Sequence, residues 1–279
     1  MSTYENYSDT SNSFDSTRTA VAYEIWLGHL LASGRPLDTL RLLDSGCGTG
    51  NYSIALAPYV GHITAMDMNK AMLAKAKEKL IDKQLTDRVQ VLKGSMLEMT
   101  LNDSEYDAVL FNQVLHHLDP PGDERFSGCE QAISEAARVL KVGGMLLINV
   151  CSHRQLIEGF WYYHLAPDAL SSVVRQQVPS ARLRKILKKF GFSIMARTVP
   201  LEATMTGRAY FDATGPLNET WRAGDSFWAL VDDTELGAAL KTVRQLDAED
   251  RLADFVEAHD AQRSYIGQMT FWVGLKSAA

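Results

Sequence analysis

The stretch Leu42-Leu43-Asp44-Ser45-Gly46-Cys47-Gly48-Thr49-Gly50-Asn51 sets a carboxylate just ahead of three glycines at alternate positions. Glycines so spaced let a backbone turn tightly and come close to a ligand, after an apolar run that reads as a buried strand and before a helix opening near Asn51. A second apolar run, Ile63-Thr64-Ala65-Met66, ends in Asp67. An acidic side chain at a strand tip about 20 residues beyond such a loop can accept hydrogen bonds from both hydroxyls of a ribose. The pair reads as a nucleotide-binding loop and its ribose acid.

The nature of the nucleotide follows from spacing and charge. The dinucleotide fingerprint is G-x-G-x-x-G and keeps a helix N-terminus open for a pyrophosphate. Here the spacing is G-x-G-x-G, and Asp44 would repel a pyrophosphate. A carboxylate there suits a ligand bearing an ammonium and a sulfonium. Further along, Asn112-Gln113-Val114-Leu115-His116-His117 offers two amides and two imidazoles. An imidazole titrates near working pH, so His116 or His117 could take a proton from a nucleophile. Each could equally pack or cap the following helix. Adjacent histidines do not easily converge on one ion, and no metal site is expected.

The elements that position these residues alternate. Strands are predicted at about 40–44, 62–67, 88–93, 106–111 and 145–151, and helices at about 51–59, 70–81 and 129–140. Such alternation implies a parallel sheet covered on both faces, with ligands beyond the carboxyl ends of the strands. Asp44, Asp67, Ser95 and Asn112 all fall at or just past those ends. Pro179-Ser180 starts an amphipathic helix carrying Leu183, Ile186, Leu187 and Phe190, and a sixth strand (193–199) and a seventh (268–275) follow.

Leu42 to Asn51 resembles the first motif of class I S-adenosylmethionine-dependent methyltransferases, and Asp67 matches their ribose-binding acid. Gly94-Ser95-Met96 is similar to the segment lying against adenine, although an acid commonly stands where Ser95 is. Tyr106 to Leu118 resembles the fourth strand and the turn facing the methyl group, and Arg138 to Ile148 the helix, glycine turn and fifth strand. The likeness is closest to the small-molecule, ubiquinone/menaquinone-biosynthesis-like type. It is specific over residues 40–150 and only architectural beyond them. It implies a Rossmann-like, seven-stranded, mostly parallel sheet with helices on both faces, an N-terminal helical lid and a helical, aromatic cap inserted late in the chain. It implies S-adenosyl-L-methionine as cofactor and direct displacement onto a small-molecule acceptor. By resemblance, Asp44 and the Gly46–Gly50 loop, with Gly46, Cys47 and Gly48, hold the methionine portion. Asp67 meets the ribose, Ser95 and Met96 the adenine, and Asn112 and Gln113 the neighbourhood of the transferring methyl; Asn51 and Met68 also count as cofactor-binding. Protein or nucleic-acid methylation, and cofactor binding without transfer, are the alternatives.

Three parts of the chain follow. Residues 1–35 read as a polar arm and lid helix, in which Tyr4, Tyr7 and Phe14 are candidates to close the site and Tyr7 to touch substrate. Residues 36–152 form the cofactor-binding core. Residues 153–279 complete the sheet and carry insertions at 155–178 and 200–267, within the same domain. The first insertion holds Gly159-Phe160-Trp161-Tyr162-Tyr163-His164-Leu165, so Phe160, Trp161, Tyr163 and His164 are candidates for an acceptor pocket wall; a small core for an added helical pair would use the same residues.

Composition narrows the partners. A formal charge of −6 argues against a polyanion, since phosphate-backbone binding relies on clustered Lys and Arg. No apolar run is long enough for a membrane span and no secretory leader is recognisable, which makes a cytoplasmic location the expectation. Three cysteines without metal-ligand spacing are expected to be reduced thiols.

Overall fold

The structure, a computed structural model, describes residues 15, 18–120 and 122–278. Tyr4, Tyr7 and Phe14 lie outside the described residues. Seven strands form one sheet: β1 (Arg41–Ser45), β2 (His62–Asp67), β3 (Val89–Lys93), β4 (Tyr106–Asn112), β5 (Leu140–Val150), β6 (Phe192–Thr198) and β7 (Thr270–Lys276), in the order β3-β2-β1-β4-β5-β7-β6. Pairing is parallel from β3 through β5, whereas β7 is antiparallel to both β5 and β6. β7 alone therefore runs against the rest.

Period-two alternation decides which face each side chain serves. Leu43, Val109, Phe111, Leu146, Ile148 and Trp272 pack on one face with Ile133 and Ala136 of the helix Ser127–Val139 and Leu183, Ile186 and Leu187 of the helix Ser180–Lys189. Their sheet neighbours Leu42, Ala108, Leu110, Leu147, Phe271 and Val273 face the other way, against Trp26 and Leu30 of the helix Glu24–Ala32, Leu56, and Leu80 of the helix Lys70–Asp82. Both faces are covered, which is why these strands read as continuous apolar runs.

Two boundaries differ from the sequence expectation. β5 begins at Leu140, not near 145, and the register with β4 jumps from Tyr106↔Leu140 to Ala108↔Met145. The Gly143-Gly144 turn bulges inside a continuing strand. The helix from Asn51 ends at Leu56.

The insertions fold together over the carboxyl ends of the strands. Phe160, Trp161, Tyr162 and Tyr163 pack with Tyr210, Trp221, Phe227 and Trp228, and with Ala239 and Val243 of the helix Asp233–Ala248. Phe227 stacks on Tyr163 with ring centroids 3.8 Å apart.

Candidate functional site

Strand order reverses between β1 and β4, and there the carboxyl-terminal loops part to leave a crevice. A cavity of about 180 Å³ fills it. The glycine loop forms its floor. Gly46 has φ +80°, and a Cβ on it would fall 2.6 Å from Val114 Cγ2 and 2.8 Å from Met96 Cε. Gly48, at φ +53°, has nothing within 4 Å of its Cβ position, so its missing side chain is space left at the cavity.

Asp44 lies at the end of β1, 2% exposed, and accepts a hydrogen bond from Ser53 Oγ at 2.6 Å. Burial pushes its carboxyl up to about 6 against the lowering effect of Ser53. Asp67 at the tip of β2 accepts from Gly48 N at 2.9 Å through Oδ2 and from Asn69 N at 2.8 Å through Oδ1. Burial raises its pKa, and the backbone donors oppose that shift.

Beyond β4, Gln113 takes φ +48°, a left-handed conformation uncommon for a side chain of its size. Its N–H donates to Asn149 O at 2.9 Å and its Nε2 to Asn149 Oδ1 at 3.1 Å. Asn149 Nδ2 in turn reaches Tyr52 OH at 3.4 Å. Asn112 Oδ1 accepts from Trp26 Nε1 at 3.0 Å, while its Nδ2 is buried without a partner. The 3₁₀ turn Leu115–His117 then carries both imidazoles to the wall, with ring centroids 4.0 Å apart. Burial pushes His116 down to about 4 and His117 well below its ordinary value. Both rings are therefore neutral at ordinary pH, and His116 is a far weaker base than the sequence expectation supposed.

The leader and the cap close the remaining sides. Asp15 Oδ1 accepts from Thr49 Oγ1 at 2.6 Å and from Asn51 Nδ2 at 2.9 Å, and Lys79 Nζ lies 2.7 Å from its Oδ2. Arg18 donates to Gly224 O at 2.6 Å and pairs with Asp225 at 3.2 Å. Tyr162 OH donates to the other oxygen of Asp225 at 2.5 Å. Leu156, Val173, Met205 and Met269 complete an apolar side.

Of the residues singled out from sequence, Asp44, Gly46, Cys47, Gly48, Asn51, Asp67, Asn112, Gln113, His116, His117 and Tyr163 line this one cavity. Met68, Ser95, Met96, Phe160, Trp161 and His164 do not. Met68 is 41% exposed. Met96 packs beneath Gly46, and Ser95 caps its own turn by accepting from Leu97 N. Phe160 and Trp161 are buried in the aromatic cap core, and His164 bonds Ile157 O at 2.8 Å and tilts against His259. Sequence reasoning missed Arg18, Asn69, Tyr52, Asn149 and Asp225. Asn69 carried a signal, as a helix-capping residue two positions past Asp67; its Oδ1 accepts from Ala71 N and Met72 N. Asp225 carried none. No group of three or more metal-ligating side chains occurs among the described residues.

A doubly wound sheet with an acid, a glycine loop and a ribose-type acid at its switch point defines a nucleotide-binding α/β protein. Residues 43–148 match the methyltransferase domain family. Over 144 residues the chain is 28% identical to a demethylmenaquinone methyltransferase of Lactiplantibacillus plantarum, which covers 50% of this chain and 57% of the relative. The chain thus spans little more than half the length of that curated relative. It is 26% identical over 229 residues to the ubiquinone/menaquinone biosynthesis C-methyltransferase UbiE of Brucella anthropi, covering 73% of this chain and 80% of the relative. In fold it is similar to a solved putative methyltransferase from an antibiotic biosynthesis pathway of Anabaena variabilis, with TM-score 0.73 and 18% identity, over 92% of this chain and 98% of that one.

Proposed function

We propose that the protein moves a methyl group from S-adenosylmethionine to a small, largely apolar acceptor, leaving S-adenosylhomocysteine. The observation that carries this is a single cavity uniting Asp44, Gly48 and Asp67 with an apolar wall drawn from the cap. The residues fit the cofactor. Asp44 keeps an oxygen for an ammonium, which would draw its carboxyl back toward the charged form. Gly48 leaves room for close approach, and Asp67 stands at the strand tip where ribose hydroxyls could donate to it.

When bound, the cofactor supplies an electrophilic methyl carbon on a positively charged sulfur. The chain supplies position. Holding the nucleophile in line is worth roughly 7–11 kcal/mol, against roughly 3–5 kcal/mol for a base giving 10²–10⁴-fold. Two weakly basic histidines are therefore no obstacle. Leu156, Val173, Met205 and Tyr163 would exclude water and set the acceptor's outline. The relatives named for quinone methylation support an acceptor of that lipophilic kind. The charge of −6 weighs against a nucleic-acid acceptor. Among the described residues no helix is long and apolar enough to cross a membrane.

The test is incubation with methyl-labelled S-adenosylmethionine and cell extract, separated by size. Label in the small-molecule fraction is expected. Label confined to macromolecules, or no cofactor binding by calorimetry, overturns the proposal.

A further inference from the structure

We propose that His116 is a fixed hydrogen-bond donor, whose Nε2–H holds a carbonyl or phenolate oxygen of the acceptor, and not the base that receives the nucleophile's proton. The assignment of an acceptor oxygen rests on the methyl-transfer function above; the state of the ring does not.

His116 lines the cavity, and its Nδ1 is buried with no hydrogen-bond partner. That leaves Nε2 as the nitrogen a ligand in the cavity can reach. A neutral imidazole carries one proton, on one nitrogen or the other. Were it on Nδ1, a buried N–H would be orphaned, which is the rarer and costlier defect; on Nε2, the buried atom is a lone pair and the proton faces the cavity. The ring is also held neutral. Burial is the main cause, and the positive charge of Arg18 adds to it, partly offset by its partner Asp225. A neutral ring with its proton turned toward the ligand has nothing to accept with at that face. It can polarise an oxygen instead, which is what a neutral imidazole does best when kept from becoming a cation.

The consequence is a substrate rule. The acceptor presents an oxygen lone pair to His116, and the nucleophilic atom is a different one, since a donor on the nucleophile itself would blunt it. Where the acceptor has already lost its proton to solvent, the donor stabilises the resulting conjugated anion at its oxygen; the anion's electron pair then forms the bond to the methyl carbon, the C–S pair returns to sulfur, and the charge is consumed.

The tautomer is readable directly. Full-length protein labelled with ¹⁵N-histidine, with resonances assigned by comparison with H116Q and by backbone correlation, distinguishes Nε2–H from Nδ1–H by the nitrogen shifts and two-bond couplings. A neutral Nε2–H ring that stays neutral at pH 6 is expected. A proton on Nδ1, or a cation at that pH, overturns the proposal whether or not methyl transfer is found. Two isosteric probes then test the oxygen: acetophenone should move the His116 Nε2 signals, and α-methylstyrene, with CH₂ in place of the oxygen, should not. Equal responses, or none to millimolar acetophenone, remove the acceptor-oxygen rule. Where label transfer supplies the acceptor, H116F should cost roughly 10²-fold in turnover and H116Q, which keeps a donor amide, should recover part of it. A base would show no such recovery.

Discussion

Gly46 and Gly48 sit two residues apart and both have positive φ, yet a methyl group on each should have different consequences. At Gly46, alanine must hold φ near +80°, a left-handed conformation costing about 1–2 kcal/mol. Its Cβ would also stand 2.6 Å from Val114 Cγ2, 3.2 Å from Val114 Cβ and 2.8 Å from Met96 Cε. The Met96 terminus can swing away. Val114 cannot, because it is stiff at χ1 and follows Gln113, itself left-handed. Overpacking adds about 1–3 kcal/mol, for a total of roughly 2–5 kcal/mol. At Gly48 only the backbone cost applies, since the new methyl meets nothing within 4 Å. At roughly 2–4 °C per kcal/mol for a domain somewhat smaller than this one, Gly46→Ala should lower Tm by about 5–15 °C and Gly48→Ala by a few degrees. Isothermal calorimetry should rank them in reverse relative to folding loss: Gly48→Ala, with its methyl in the cavity, loses affinity for S-adenosylhomocysteine while remaining folded. Equal Tm losses for the two variants, or a Gly46→Ala protein as stable as wild type, would refute the packing beneath the loop.

Asp67→Ala should weaken S-adenosylhomocysteine binding substantially with the fold retained, and unchanged affinity by titration calorimetry would remove its ribose role. Asp44 has a folded pKa raised from 3.8 to about 6, so the neutral acid prevails below that pH and an ammonium loses its partner. Affinity for S-adenosylhomocysteine should therefore fall as pH drops from 7 to 5, approaching tenfold per unit, and Asp44→Asn should flatten the profile. The same raised pKa means the folded state binds protons more tightly than the unfolded one between about pH 4 and 6, so ionised Asp44 costs stability that is recovered on acidification through that window. In a double-mutant cycle, Arg18→Ala and Asp225→Asn should couple by more than about 1 kcal/mol in S-adenosylhomocysteine binding, the pair being largely buried; additivity would show that the leader and cap close independently.

The sheet and its cofactor half were legible because local signals and global fold agree there. Leu42 and Leu43 point to opposite faces, both covered, so the strand shows as an apolar run; Asp44, Gly46 and Asp67 break the run where the ligand crevice opens. The bulge at Gly143-Gly144 was not legible, because a glycine pair signals a turn and says nothing of whether the strand resumes its pairing before it. The cap misled in a different way. Phe160 and Trp161 have the composition of a pocket wall, but the side chains that fill a small core are the same types, and only the fold places Tyr163 toward the cavity and its neighbours away from it. Arg18 and Asp225 stand far apart in sequence, and no spacing rule relates residues brought together by a closing leader.

That leader makes the cavity a room whose door is part of the chain. Asp15 is tied to Thr49, Asn51 and Lys79 on the glycine-loop side, and Arg18 to Gly224 and Asp225 on the cap side. Tyr52 OH donates to Val21 O at 2.9 Å, fastening the same segment a third time. These contacts tie one short segment to both sides of the cavity, so salt, which weakens the charged ones, should loosen that segment and speed the release of a ligand held beneath it.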